Sequence, residues 1–342
     1  MKLKTFKLGG IHPPENKMAA GNPIEPVALP KRATIHLNQH IGAPANPVVK
    51  KGDQVKVGTL IGKGESFISA NIHSSVSGKV FAVDSVADGS GYKIKSVIID
   101  VEGDEWEDTI DRSTDLVKEI TLESSQIIER IKECGIVGLG GACFPSHVKY
   151  MVPEGKKVDT LVINAVECEP YLTADNRIML EKTEEIMIGI EIMKKAAGIE
   201  KAIVGIEANK PEAIAKMEKT ASVYPGTIIQ PLKVMYPQGA EKQLIKSLLN
   251  REVPSGKLPL DVGCVVNNVG TALAIYEAVQ KNKPLIERVV TVTGKKLQRT
   301  ANYIVRIGTP VSMLVETVGG IPDGTDCLLY TSPSPRDRTR SR

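Results

Sequence analysis

A multidomain α/β chain is predicted by three features of the sequence. Short β-branched segments separated by Gly-Asp and Gly-Lys turns fill Val27 to about Val101. Apolar strands then alternate with amphipathic helices from about 120 to 280, the pattern of a layered α/β domain. A last strand–strand–helix stretch follows from Arg288. With 342 residues there is room for two or three domains and ample core.

Composition narrows the function classes. The formal charge is +4, but 327–342 holds four arginines against one aspartate, so the rest carries only about +1. A nearly neutral body argues against a nucleic-acid partner, which calls for a basic face. Aromatic residues make up only 4%, too few for base-stacking platforms. The five cysteines form no C-x-x-C pair and read as reduced thiols in a cytoplasmic setting. No signal peptide is visible at Met1, and no apolar run reaches the roughly 18 residues of a membrane span.

Residues 1–26 read as an extended segment, because Gly9-Gly-Ile-His-Pro-Pro-Glu-Asn-Lys17 carries too much glycine and proline for a helix. Residues 27–102 form a β-module whose clearest piece is Val48–Gly62, alternating around Gly52-Asp53 and Gly58. The rhythm continues through Ile72–Val80 and resembles the barrel-sandwich fold of lipoyl and biotinyl carriers. Those carriers present a modified lysine at a hairpin tip, whereas the tip here reads His73-Ser-Ser-Val-Ser77. A structural module is therefore expected, not a carrier. His36 and His40 have i, i+4 metal spacing only in a helix, and they sit among strands, so no metal is expected there.

Gly103–Thr114 is acidic and unpatterned, a linker. Ser124 or Ser125 is expected to cap a helix Gln126–Cys134 that Gly135 ends. The α/β domain spans 120–283, with strands at 160–166, 201–206 and 227–232. Helices are predicted at 183–197, 211–222, 239–250 and 268–280. Between the first helix and the first strand lies Gly135-Ile-Val-Gly-Leu-Gly-Gly-Ala-Cys-Phe-Pro-Ser-His-Val-Lys149. Four glycines in seven positions leave backbone N–H groups bare, and a helix opened at Pro145 makes them an anion cradle. Lys149 would add a charge one turn on, and Phe144 a stacking surface. Three further polar loops follow strands: Asn164–Tyr171 with Glu167 and Glu169, Tyr236–Glu241, and Asn267–Thr271. Loops at the carboxyl ends of parallel strands converge on one crevice.

In this order, the loops Gly-x-Gly-Gly-Ala-x-Phe-Pro, Asn-Ala-x-Glu-x-Glu-Pro, Tyr-x-x-Gly-x-Glu and Asn-Asn-Val-x-Thr resemble those of the flavin-binding, NADH-oxidising subunit of respiratory complex I. The start Gly9–Lys17 and the β-module look like the C subunit of the Rnf ion-translocating electron-transport complex, over roughly residues 1–326. That resemblance implies FMN held by Gly138, Gly140, Gly141, Lys149, Asn164, Tyr236, Gly239, Asn267, Asn268 and Thr271. NADH would lie near Phe144, Glu167, Glu169 and Glu241. The chain departs from the complex I pattern at Leu139 (arginine there), Cys143 (glycine), Val166 (aspartate) and Ala240 (glutamate). The function implied is that of a subunit peripheral to the cytoplasmic face of a bacterial membrane. It would pass electrons from NADH through FMN towards iron–sulfur clusters, with ferredoxin and other subunits of a membrane redox complex as partners.

Residues 284–326 look like the β-grasp (soluble-ligand-binding) module that follows the flavin domain in this family. From Cys327 the pattern breaks, and 327–342 reads as a non-native tail. Family members continue instead into a ferredoxin-like domain with two cysteine motifs for 4Fe-4S clusters. The chain is thus expected to be truncated before that domain and to hold no cluster itself. The competing reading is a non-catalytic scaffold, like the A subunit of the sodium-pumping NADH:quinone reductase. The intact Gly138-x-Gly140-Gly141 loop with Lys149 argues for the enzyme.

Overall fold

The computed structural model describes residues 3–89 and 91–325. The tail reading, on 327–342, lies outside the described residues. Strand β1 (Ile24–Pro26) precedes the β-module, which holds β2 (Arg32–His36), β3 (Asn46–Pro47), β4 (Gln54–Val55), β5 (Leu60–Lys63), β6 (Ile72–His73), β7 (Gly78–Ala87) and β8 (Lys93–Val101). Two antiparallel sheets, ordered β2-β8-β7-β4 and β3-β5-β6, enclose Ala33, Ile35, Leu37, Ile61, Val80 and Ile99. Inward residues alternate along β2 and β8, as one buried face requires.

The tip at 73–77, where a carrier would bear its lysine, is largely buried. Ser74 and Ser75 have no exposed surface, and the Ser75 hydroxyl donates to the Ile307 carbonyl at 2.5 Å. The ring of His36 pairs with Ser96, and that of His40 meets main-chain groups of Ile41 and Ala70. The segment 103–114, read as a linker, is anchored along its length. Trp106 pairs with Val57 and lies between the guanidinium groups of Arg112 and Arg306, each 4.6 Å from its ring. Asp111 meets Lys281 at 2.6 Å.

The α/β region runs α1 (Ser124–Glu133), α2 (Ser146–Tyr150), β9 (Thr160–Asn164), α3 (Ala174–Glu181), α4 (Thr183–Ala197), β10 (Ala202–Glu207), α5 (Pro211–Ala221), β11 (Thr227–Leu232), α6 (Glu241–Leu249), β12 (Cys264–Asn268) and α7 (Val269–Lys281). Glu123, not a serine, caps α1: its N–H donates to the Gln126 side chain, while the Ser124 hydroxyl donates to Ala196. Helix α3 went unpredicted because its eight residues bury only Asn176, Ile178 and Met179, too short a stripe to show a period.

The four strands form one parallel sheet ordered β11-β10-β9-β12. Both faces are covered, which explains the nearly unbroken apolar strands. Leu161, Ile163, Val204 and Ile206 face the layer of α1, α4, α5 and α7. Val162 and Ile203 face Leu244, Ile245 and Leu248 of α6.

Strands β13 (Glu287–Val292) and β14 (Ala301–Arg306) pair antiparallel and precede α8 (Val311–Thr317). β1 adds to β14 in parallel, Ile24 opposite Asn302. The end of the segment read as merely extended thus completes the last sheet, a pairing that no local pattern announces.

Helices α4 and α7 approach closely at Gly189, where an added Cβ would run into the carbonyl oxygen of Ala272. Gly189→Ala should therefore lower stability by about 1–3 kcal/mol, read as a lower urea midpoint. An unchanged midpoint would contradict this packing.

Candidate functional site

The chain passes from β9 to β10 on one side, then returns from β11 to lay β12 on the other side of β9. Loops leaving β9 and β12 both lead to the helix layer of α3, α4 and α7, so they meet at the carboxyl ends of those two strands, where open α/β sheets bind ligands. Asn164 ends β9 and stands opposite Asn268, which ends β12.

Asn268 is the N-cap of α7. Its side-chain oxygen accepts from the Gly270 N–H at 2.8 Å. Its amide nitrogen donates to the Asn164 carbonyl at 3.3 Å and to the Asp175 carboxylate at 2.7 Å. The glycine loop lies over this turn. Leu139 N–H donates to the Thr271 hydroxyl at 2.9 Å, and Arg288 donates to the Leu139 carbonyl at 2.6 Å. Gly138 N–H closes the loop on the Phe144 carbonyl at 2.8 Å. A Cβ at Gly140 would stand 3.1 Å from the Cβ of Asn268, so loop and cap are nearly in contact. Gly141 has φ +125° and its missing Cβ points into open space.

The third loop joins through Gly239, whose carbonyl accepts from Asn164 at 2.8 Å and whose N–H donates to the Cys168 sulfur at 3.3 Å. Asn267 is 2% exposed, and neither polar atom of its carboxamide has a good hydrogen bond, although the Tyr150 hydroxyl lies beside it. Such a buried amide is costly unless a ligand meets it. Lys149 lies inside rather than over the cradle: α2 has only five residues, and the ammonium donates to the Val266 carbonyl at 2.7 Å. Burial lowers its pKa while Glu241 works to raise it.

The loop after β9 is unusual in its backbone and its charges. Glu167 (φ +49°) and Tyr171 (φ +70°) both take left-handed conformations. One Glu167 oxygen accepts from Asp175 N–H at 2.7 Å; the other is buried without a partner. Part of the residue is exposed, but its carboxylate is enclosed, and desolvation pushes its pKa up to about 7 against Lys17 and Lys210. Burial also raises Asp175.

Gly138, Gly140, Asn164, Gly239, Asn268 and Thr271 are therefore joined directly or through one neighbour, with Gly141, Phe144 and Glu167 on the same loops. Glu241 is exposed at the start of α6. Tyr236 exchanges backbone hydrogen bonds with Ile11, and the Glu169 carbonyl is taken by Lys17; these two attach to the N-terminal segment. Asp175, Lys17 and Arg288 escaped sequence reasoning. Asp175 sits on the unpredicted α3, and only three-dimensional contact brings Lys17 and Arg288 here. Among the described residues no group of three His, Cys, Asp or Glu side chains is placed to hold a metal ion.

Fold and loops define a parallel α/β domain with its polar loops gathered at the strand ends, behind a barrel-sandwich module. Residues 131–277 match the family model of the Nuo51 FMN-binding domain, 4–104 the RnfC barrel sandwich hybrid domain, and 289–330 the SLBB domain. The C subunit of a proton-translocating ferredoxin:NAD(+) oxidoreductase complex from Clostridium ljungdahlii is 47% identical, over 94% of this chain and 70% of its own length. The C subunit of a Na(+)-translocating ferredoxin:NAD(+) oxidoreductase complex from Acetobacterium woodii is 42% identical, over 94% and 72%. That of an ion-translocating oxidoreductase complex from Rhodobacter capsulatus is 40% identical, over 97% and 64%. The chain belongs to this family, the C subunits of Rnf-type ion-translocating oxidoreductase complexes. An NAD+-reducing [NiFe]-hydrogenase shares the fold at a TM-score of 0.52, with 22% identity over 58% of this chain and 40% of that one.

Glu167 gives a signed prediction. Its folded pKa lies above the unfolded one, so between the ordinary carboxylate value and about 7 the folded state keeps a proton that the unfolded state has lost. Stability is full below that window and falls as pH rises through it. Glu167→Gln, which does not ionise, should therefore gain on the parent by roughly 1–3 kcal/mol between pH 4.5 and 8. Denaturant unfolding at both pH values checks this. A relative loss at pH 8 would mean that Lys17 and Lys210 hold the carboxylate as an anion.

Proposed function

We propose that this chain binds FMN in the crevice between β9 and β12 and oxidises NADH there, as a peripheral subunit of a membrane complex. The observation that carries the reading is the glycine loop, pinned by Thr271 and laid against Asn268, with its Gly141 side open. An added side chain would close the approach that a flavin or its phosphate needs. The buried Asn267 carboxamide, with no good hydrogen bond, fits the same ligand, and Lys149 supports the site from beneath, bonded to Val266. FMN held there would supply hydride acceptance from NADH and one-electron release.

The protein's part is alignment and electrostatics. Backbone N–H groups of Gly140 and Gly141 are pre-set donors towards negative charge on the ligand, while the Gly138 N–H closes the loop on Phe144. Thr271 acts one step back, by fixing Leu139. Asn164, Tyr236 and Gly239 shape the opposite side. Phe144, Glu167, Glu169 and Glu241 are assigned to NADH, Phe144 by stacking and the carboxylates by accepting from hydroxyl groups. A carboxylate near the nicotinamide nucleotide is costly unless it carries a proton or faces donors, which suits the raised pKa of Glu167.

The names of the relatives speak of ferredoxin and translocated ions. We carry these over as the destination of the electrons, with 4Fe-4S clusters as the expected carriers beyond the flavin. No helix among the described residues is long and apolar enough to cross a membrane; docking on membrane subunits at the cytoplasmic face is part of the proposal. The domain division follows the sequence reading: 27–102, 120–283 and 284–326, the last a β-grasp module built on β13, β14 and α8. The burial of the Ser75 tip against that module favours a structural role for both.

The test separates the two ligands. Gly140→Val should abolish FMN binding. Phe144→Ala and Glu241→Ala should keep the flavin yet slow its bleaching by NADH about ten- to a hundredfold. Flavin retention in Gly140→Val, with normal reduction in the other two, would remove the site from this crevice.

A further inference from the structure

The segment Gly9–Lys17 is conspicuous in the sequence but has no part in the chemistry above. It runs as a strap across the carboxyl ends of three of the four parallel strands. Ahead of the segment Lys4 pairs with Leu232 at the end of β11, and within it Ile11 pairs with Tyr236 just beyond that strand. Glu15 accepts from Asn209, after β10, at 2.9 Å and, through its carbonyl, from Tyr171 N–H at 3.0 Å. Lys17 then enters the loop after β9. Its ammonium donates to the carbonyls of Glu167 at 2.8 Å, Glu169 at 2.8 Å and Leu172 at 2.7 Å. An ammonium has three donors, and all three are used on one six-residue loop.

We propose that Lys17 is a positioning residue for the nucleotide side of the site: it holds the loop after β9 in the strained conformation that presents Glu167. The proposal rests on the function proposed above for Glu167. Glu167 and Tyr171, the two left-handed residues, lie within the clamped stretch. Such backbone persists only where its surroundings over-determine it. Local sequence does not, since neither position is glycine. Three convergent carbonyls bound to one cation do, and removing the cation leaves those carbonyls unpaired beside a buried carboxylate. Lys210 donates to the Val166 carbonyl at 2.8 Å and fixes the start of the loop, and the Tyr171 N–H is held by Glu15, whereas the carbonyls of Glu167, Glu169 and Leu172 are gathered by Lys17. A planar guanidinium cannot reproduce three carbonyl bonds converging on one nitrogen, so arginine should not substitute.

The experiment compares the full chain with Lys17→Met, which keeps the hydrocarbon stem, and with Lys17→Arg. Three quantities are read: FMN bound per chain, amide hydrogen exchange of 167–172, and NADH dependence of flavin bleaching. Both variants should keep FMN. They should exchange in 167–172 roughly tenfold faster and need roughly tenfold more NADH for half-saturation, with the limiting rate changed far less. If Lys17→Met does not fold, Lys17→Arg, which keeps the charge, carries the same comparison. Unchanged exchange and unchanged NADH dependence would overturn the proposal. So would loss of FMN in step with NADH, which would make Lys17 a support of the whole domain. Should the parent chain itself bind no FMN, the proposed function fails, and the exchange comparison alone still decides whether Lys17 sets the loop.

Discussion

The carboxamide of Asn268 joins three parts of the molecule that are far apart in sequence. Its oxygen starts α7, and its nitrogen reaches both the last carbonyl of β9 and a carboxylate on α3. Close to its Cβ lies Gly140, where an added Cβ would stand only 3.1 Å away. The crevice therefore depends on strand order: only because β12 lies beside β9 does the residue ending one strand bond the residue ending the other. Gly239 is drawn in by Asn164, and Leu139 by Thr271, so each loop is fixed by a neighbour rather than by its own sequence. A site assembled this way is pre-organised at little entropic cost on binding, which is what cofactor alignment needs.

Charge is the second theme. Lys17, Glu167, Asp175, Glu207 and Lys210 lie within one largely buried patch under the loop after β9. Desolvation dominates each of the carboxyl shifts, and the lysines offset only part of it. Buried charges of this kind are weak contributors to stability but are informative about function, because the arrangement costs more than an apolar core would. Glu167 stands out within the patch, with one oxygen satisfied and the other unpartnered.

Much of this was legible in the sequence. Strands β9, β10 and β11 announced themselves as apolar runs because both faces of a parallel sheet are buried, and α4 and α5 by their period and their flanking Gly198 and Pro211. The four polar loops were recognisable by residue type and order. Contact between distant segments was hidden. β1 is three residues long and carries no pattern, yet it completes a sheet with residues 302–304. Helix α3 is too short for its period to show, which concealed Asp175. Lys149 was expected to face the glycine cradle, but the brevity of α2 turns its ammonium onto Val266. Lys17 sits in a Gly- and Pro-rich stretch whose role appears only when the strap lies across the strand ends.

The central claim is that the crevice between β9 and β12 holds FMN, and direct titration is the test. The full chain would be titrated with FMN while flavin fluorescence is followed, and the bound flavin then released by denaturation and counted. Saturable quenching with one FMN per chain is the predicted result. Fluorescence that stays that of free flavin throughout, with no flavin recovered from the protein, would contradict the account.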